Sequence, residues 1–294
     1  MRGQTSNSMK LKNLVTVVTG ASQGLGNAIA RAFVGEGAHV ALCARDQKLI
    51  SDAAADLKRL ASAGQQIFDL ACDVSVEDDV EKFFDEIRRR LGPVNVLVNN
   101  AGVYGPKGAS EKVDFQEWAR ALEINLYGTF LPCRFAIRQM KELRRGKIIN
   151  LSGGGATAPL PRISSYAASK AAVVRLTETL AEELREFSVD VNAIAPGALN
   201  TRLLQEILSA GPEAVGNEYY QKSLKQRDSG GVPLEKAARL CVYLASEVSD
   251  GITGKLVSAQ WDPWENLHEF REQLDKSDVY TLRRIVPEDR GLKW

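Results

Sequence analysis

A doubly wound α/β fold, a parallel sheet covered by helices on both faces, is what this 294-residue sequence predicts, and three observations predict it. Short apolar, β-branched runs recur along the chain, and their consecutive apolar positions bury both faces of the sheet they form. Segments of helical period separate these runs, which implies crossover connections between parallel strands. A glycine-rich turn lies between the first run and the first helical segment, the place where such sheets open their ligand crevice. No proline- or serine-rich linker divides the chain and no repeat goes beyond this alternation, so residues 11–260 are expected to form a single domain with a C-terminal extension over 261–294.

The first strand is Leu14-Val15-Thr16-Val17-Val18, and helical period follows the glycine turn through about Glu36. Strand-like runs then occur at 38–44, 66–72, 94–98, 147–151, 189–194 and 255–259. Helical segments near 46–63, 76–91, 114–143, 164–186, 201–222 and 234–247 connect and flank them. Residues 1–10 are polar, contain neither a signal core nor a membrane span, and read as a disordered leader. In the extension, 265–276 reads as a polar helix and 279–286 alternates like a strand. Its aromatics Trp261, Trp264, Phe270, Tyr280 and Trp294 would be costly to leave in water, so part of the extension is expected to be covered, with docking on a neighbouring subunit preferred.

Hydrophobic content of 44% and charged content of 26% are ordinary for a soluble globular protein. A net charge of +1 and arginine runs no longer than Arg88-Arg89-Arg90 point to no nucleic-acid partner. Cys43, Cys72, Cys133 and Cys241 are widely spaced without metal-ligand intervals, so reduced core thiols, a cytoplasmic location and no metal site are expected.

The chemistry-bearing stretch is Ser164-Ser165-Tyr166-Ala167-Ala168-Ser169-Lys170. Tyr166 and Lys170 are four apart in an Ala-rich segment, so they share one helix face. An ammonium one turn away favours the phenolate and fits the phenol for proton transfer; the other reading is an incidental pair on a core helix. In Thr19-Gly20-Ala21-Ser22-Gln23-Gly24-Leu25-Gly26 the glycines permit a tight turn and close approach to a pyrophosphate at a helix N-terminus. The second strand ends Ala44-Arg45-Asp46: an arginine there accommodates a 2′-phosphate, or else is a solvated partner of Asp46. Asp73-Val74 could set a carboxylate near an adenine or cap the next helix. Asn99-Asn100-Ala101-Gly102 ends the fourth strand as a crevice or a turn would, and Asn125 is a poor local choice inside a long helical stretch.

Taken together, Thr19-Gly20-x-x-x-Gly24-x-Gly26, Asp73-Val74, Asn99-Asn100-Ala101-Gly102, Asn125, Tyr166-x-x-x-Lys170, and Pro196-Gly197 with Thr201 make the chain resemble the short-chain dehydrogenase/reductase family over about residues 11–260. The resemblance implies a Rossmann fold and hydride transfer between a nicotinamide dinucleotide and a carbonyl or alcohol substrate. It implies Tyr166 as general acid/base, Lys170 holding the nicotinamide ribose and lowering the phenol's pKa, and Asn125 positioning a water. It further implies cofactor contacts from Gly20, Ser22, Gln23, Gly24, Leu25, Gly26, Asp73, Val74, Asn100, Ala101, Gly102, Pro196, Gly197 and Thr201, Arg45 as an NADP determinant with NAD as the other possibility, and a homodimer or homotetramer. Two departures stand out. The family's serine position, thirteen before the tyrosine, is Gly153, and the expectation is that Gly153-Gly154-Gly155 swings the adjacent Ser152 inward, with Ser164 or Thr157 as substitutes. The usual Asp-Gly-Gly ending is replaced by Gln260-Trp261-Asp262 and the extension. The segment from Leu203 to Gly231 reads as a substrate lid, and a non-catalytic nucleotide-binding protein is the rival reading.

Overall fold

The computed structural model describes residues 9–293, so most of the expected leader, and Trp294, lie outside the described residues. Seven parallel strands, β1 (Val15–Thr19), β2 (His39–Ala44), β3 (Ile67–Ala71), β4 (Val96–Asn99), β5 (Gly146–Leu151), β6 (Val189–Ala195) and β7 (Leu256–Ser258), stand in the order β3-β2-β1-β4-β5-β6-β7. Every neighbouring pair is parallel, with Val17 of β1 between Ala41 of β2 and Leu97 of β4. Strand order reverses between β1 and β4, so the crevice of a doubly wound sheet opens there.

Each strand alternates its side chains between two cores. Val18 and Leu42 face the layer of α1 (Gly24–Gly35), α2 (Gln47–Leu60) and α9 (Leu234–Ala245), while Val17 and Ala41 face that of α3 (Glu77–Arg90), α5 (Gly128–Leu143) and α6 (Ser164–Leu184). Full burial of Phe33, Phe83, Phe84 and Met140 fixes these helices against the sheet.

Two long helical segments are broken. The 114–143 segment divides into α4 (Phe115–Leu122), a π-helical turn over Glu123–Tyr127, and α5. Such turns tend to mark functional sites, and Asn125 lies in this one. The 201–222 segment becomes α7 (Arg202–Val215) and α8 (Asn217–Asp228), with Gly211 at φ 77° before Pro212, which cannot donate within a helix, and Gly216 at φ 85°.

The extension folds back onto its own chain. Trp264 is buried against Tyr243, ring centroids 5.8 Å apart, and its indole N–H donates to the Ala259 carbonyl at 3.1 Å. Leu267 and Leu274 join the same core. The expected helix is a 3₁₀ stretch, Trp264–Phe270, leading into α10 (Arg271–Asp275). The expected strand over 279–286 does not form. Tyr280 takes a left-handed φ of 62°, which interrupts an extended run, and a single bond from Leu256 N–H to the Tyr280 carbonyl, 2.7 Å, ties it to the sheet edge. Among the described residues no helix is long and apolar enough to cross a membrane.

Candidate functional site

A cleft of about 1000 Å³ lies along the carboxyl ends of the strands. Its β1 side is the glycine loop, folded tightly against the end of β4. The Asn100 amide donates to the carbonyls of Thr19 and Gly20 at 3.0 Å each, and the Thr19 hydroxyl accepts from the amides of Asn100 and Ala101. There is no room for side chains: a Cβ on Gly20 would lie 2.8 Å from the Ala101 Cα, and one on Gly26 would lie 2.5 Å from both the Asn100 amide nitrogen and the Gly20 carbonyl. Gln23 offers no side-chain cap to α1 and its first turn holds no acid, which leaves that end open to an anion. Ser22 and Leu25 line the same wall. Opposite, the chain after Pro196-Gly197 crosses over the loop, so that a Cβ on Gly24 would meet the Thr201 methyl at 3.6 Å.

At the far end of the cleft, Arg45 is exposed and follows Ala44 along the wall. Asp46, the partner it could have had, caps α2 by accepting from the Leu49 amide at 2.9 Å, and no ion pair of Arg45 occurs among the described residues. Asp73 also lines this end. Burial would raise its pKa, yet hydrogen bonds from the Ser75 amide and hydroxyl, with the Arg120 guanidinium 2.6 Å away, hold the carboxyl below its usual range. Val74 packs beneath Gly128, where a Cβ would come within 2.5 Å of it.

Tyr166 and Lys170 project from one face of α6 into the middle of the cleft, both buried. The Lys170 ammonium donates to the Leu151 carbonyl at 2.7 Å and lies 5.7 Å from the centroid of the Tyr166 ring. Asn125 is buried beside them. Its amide oxygen accepts from the Val103 N–H at 2.8 Å, and its NH₂ donates to the Val103 carbonyl and the Ser169 hydroxyl, both at 2.9 Å. This side chain therefore fastens the loop after β4 to α6, which is why an otherwise unfavourable asparagine sits in the π turn. Gly102 threads between them, a Cβ there standing 3.2 Å from the Asn125 oxygen and 3.5 Å from the Lys170 nitrogen.

One electrostatic expectation is reversed in this state. Burial pushes the Tyr166 phenol up, with Tyr219 adding to the effect, and burial pulls Lys170 down to about 8. Desolvation of both groups outweighs the attraction expected between ammonium and phenolate.

The missing serine has a clear geometric consequence. Gly153 lies directly against the phenol, and a Cβ there would fall 2.0 Å from the Tyr166 oxygen, so the phenol occupies the space a side chain would use. Ser152 lines the cleft, and its hydroxyl is buried with no hydrogen-bond partner among the described residues, Tyr166 included. Ser164 accepts from the Trp118 indole at 3.0 Å, and Thr157 is an exposed residue of the cleft wall. What lies against Tyr166 instead is Tyr104, edge-on with ring centroids 4.6 Å apart, and Tyr104 has no signal in the local sequence that separates it from any strand-end aromatic. The lid segment packs over this pair, Ile207 and Val215 of α7 clustering with Ile163 and Tyr166.

The model of the short chain dehydrogenase family matches residues 14–211. The chain belongs to the short-chain dehydrogenase/reductase family. It is 38% identical over 245 residues to 3beta-hydroxysteroid dehydrogenase 1 of Eggerthella lenta, covering 83% of this chain and 91% of that one. It is 37% identical over 236 residues to an L-fucose dehydrogenase of Oryctolagus cuniculus, 80% of each chain. In structure it superimposes on NAD⁺-bound xylitol dehydrogenase with a TM-score of 0.75 at 26% identity, covering 85% of this chain and 98% of the other. As a short-chain dehydrogenase/reductase it is an NAD(P)-dependent oxidoreductase acting on a small molecule.

The residues present fit a dinucleotide of this family: the glycines pack the loop tightly along the cleft wall, α1 begins there without a side-chain cap, and Arg45 and Asp73 line the same cleft. A consequence for stability follows from Lys170. Its folded pKa of about 8 lies below the ordinary 10.5, so between those values the unfolded chain binds more protons and stability rises with pH, by up to about 1.4 kcal/mol per unit. Below about pH 8 the penalty is fully present. Urea denaturation of cofactor-free protein at about pH 7.5 and about pH 9.5 should show this rise, and Lys170→Met should remove it. An equal slope in the variant would show that Lys170 is not its source.

Proposed function

We propose that this short-chain dehydrogenase/reductase is an NADP-preferring enzyme that interconverts a ketone or aldehyde with its alcohol, with Tyr166 as general acid/base. The observation that carries this reading is the placement of the Tyr166 phenol and the Lys170 ammonium in the middle of the cleft, between the glycine cradle and the apolar lid. When bound, the reduced nicotinamide supplies a hydride to the carbonyl carbon. Tyr166 gives its proton to the carbonyl oxygen as the C=O π bond opens, and the phenolate is reprotonated from water; oxidation runs the same steps backwards. Lys170 would hold the cofactor's ribose and favour the phenolate once its charge is matched there, while Asn125 keeps the Val103 loop and α6 in register. Gly20, Ser22, Gln23, Gly24, Leu25, Gly26, Asn100, Ala101, Gly102, Pro196, Gly197 and Thr201 would form the remaining cofactor contacts. The enzyme is taken to act in the cytoplasm as a homodimer or homotetramer.

NADP preference rests on Arg45, which makes no ion pair among the described residues and stands beside the uncharged Ala44 while Asp46 serves as a helix cap. A 2′-phosphate would receive charge-assisted hydrogen bonds that NAD cannot make, each worth roughly 1.5–3 kcal/mol. Fluorescence titration is therefore expected to show NADPH binding at least about tenfold tighter than NADH, and Arg45→Ala should erase most of that ratio. Tighter NADH binding to the unmodified protein would refute the preference.

A further inference from the structure

Beyond Tyr166 the cleft changes character. Its substrate half is walled by Tyr104, Pro159, Leu160, Leu204, Val215 and Tyr219, with the Trp261 side chain standing at the mouth. Leu204 and Val215 are buried within the lid's own packing, and Leu160, Tyr104 and Tyr219 pack onto the same cluster as Tyr166.

The polar groups near this wall are already engaged. Arg202 pairs with Glu206 along α7, and the Arg162 guanidinium donates to the Glu213 carbonyl at 2.7 Å. Ser165 donates to the Tyr104 carbonyl at 3.2 Å, Ser152 lines the cleft with its hydroxyl buried and unpartnered, and Gly153 supplies no side chain at all. Asn217, Glu218 and Lys222 also line the cleft, but they are exposed at its rim. Next to the reacting position the available side-chain hydrogen-bonding groups are thus the single Ser152 hydroxyl and phenols attached to large apolar rings.

We infer that the substrate is an apolar cyclic ketone or secondary alcohol, of fused-ring size, whose reacting oxygen is its one buried polar group, and not a sugar or polyol. A ring hydrocarbon replaces water against these walls and gains affinity with each buried CH₂. A polyol brings hydroxyls that leave water without partners here, and each stranded group costs roughly tenfold or more in affinity. The absence of a serine at Gly153 sharpens the discrimination, because orientation then comes mainly from shape, with no more than the Tyr166 and Ser152 hydroxyls to hold the reacting oxygen. This inference rests on the proposed carbonyl chemistry for its orientation, and on the wall residues for its class.

The test separates the two. Calorimetric titrations of 2-tetralone and of D-xylulose into Tyr166→Phe protein saturated with NADP⁺ measure binding without turnover, and NADPH consumption by the unmodified enzyme measures chemistry. Binding of 2-tetralone at least about tenfold tighter than D-xylulose is expected, with Leu160→Asn weakening it by about tenfold at unchanged NADP⁺ affinity. If Leu160→Asn melts early, Tyr219→Gln on the lid should produce the same selective loss. Tight 2-tetralone binding without NADPH consumption would keep the substrate class and remove the catalytic reading. D-xylulose binding as tight as 2-tetralone, or binding of neither, overturns the inference.

Discussion

Tyr166→Phe is expected to retain nucleotide affinity and to lose turnover by about 10²–10⁴. Retention follows from geometry. The ring still fills its place between Tyr104 and the lid cluster, so the cleft wall keeps its shape and the glycine cradle is untouched. Loss follows because the hydroxyl is the proton carrier, and no neighbouring side chain stands ready to replace it: Gly153 has none, and the Ser152 hydroxyl makes no hydrogen bond toward the phenol. Steady-state kinetics on a verified substrate, with an NADPH titration on the same sample, reads both quantities. Unchanged turnover would end the assignment of Tyr166 as the acid/base and pass the proton transfer to another group of the cleft. Ser152→Ala is the informative companion. Its hydroxyl lines the cleft unpartnered, so as the oxyanion donor its loss should cost roughly 10²–10³ in turnover, whereas a rate within a few-fold of the unmodified enzyme would remove Ser152 from that role.

The strands and the glycine loop were legible because they depend on local pattern. Runs apolar on both faces can lie only in a buried parallel sheet, and each expected run contains or adjoins an observed strand. Tyr166 and Lys170 were legible for the same reason: a spacing of four is fixed by helix geometry alone. The features that were not legible depend on tertiary neighbours. Nothing in the residues around Tyr104 shows that its ring lies against Tyr166, because a loop and a distant helix must first be brought together by Asn125. Ser152 illustrates the same limit. Its amide bonds to the Ile194 carbonyl, 2.9 Å, and holds the end of β5 in the sheet register, as the strand pattern implies, whereas the burial of its unpartnered hydroxyl in the cleft wall is set by neighbours that the glycine run does not reveal. The break at Gly211-Pro212 was written in the sequence, since a proline that cannot donate follows a glycine at a left-handed φ, and helical period alone passed over it. The phenol's ionisation could not be read from the spacing at all, because burial, which sets its direction, is a property of the folded cleft.

Deletion of residues 263–294 is expected to abolish the fold or lower its melting temperature by about 10 °C or more, a larger effect than loss of an oligomer contact. The segment removed contains Trp264, Leu267 and Leu274, all buried in the core shared with α9. At about 1.5–3 kcal/mol for each large side chain, these three account for roughly 5–9 kcal/mol, comparable with the whole stability of a typical domain. The deletion also uncovers the outer edge of β7, where Tyr280 now accepts from the Leu256 amide and Ser277 from the Lys255 ammonium, and a bare edge strand invites aggregation. The question of docking on a neighbour therefore needs a shorter truncation. Among the described residues the last bond from the extension to the body of the domain is the Leu282 amide on the Glu178 carboxylate at 2.6 Å, and beyond it Ile285 and Leu292 are exposed at 56% and 47%. Removing 284–294 should change monomer stability by no more than about 0.5 kcal/mol, as surface changes do, while weakening self-association in sedimentation if these apolar side chains seat on a second copy. An unchanged assembly would assign the subunit contact to another face and leave the extension the single role of sealing α9 and the edge of β7 within its own chain.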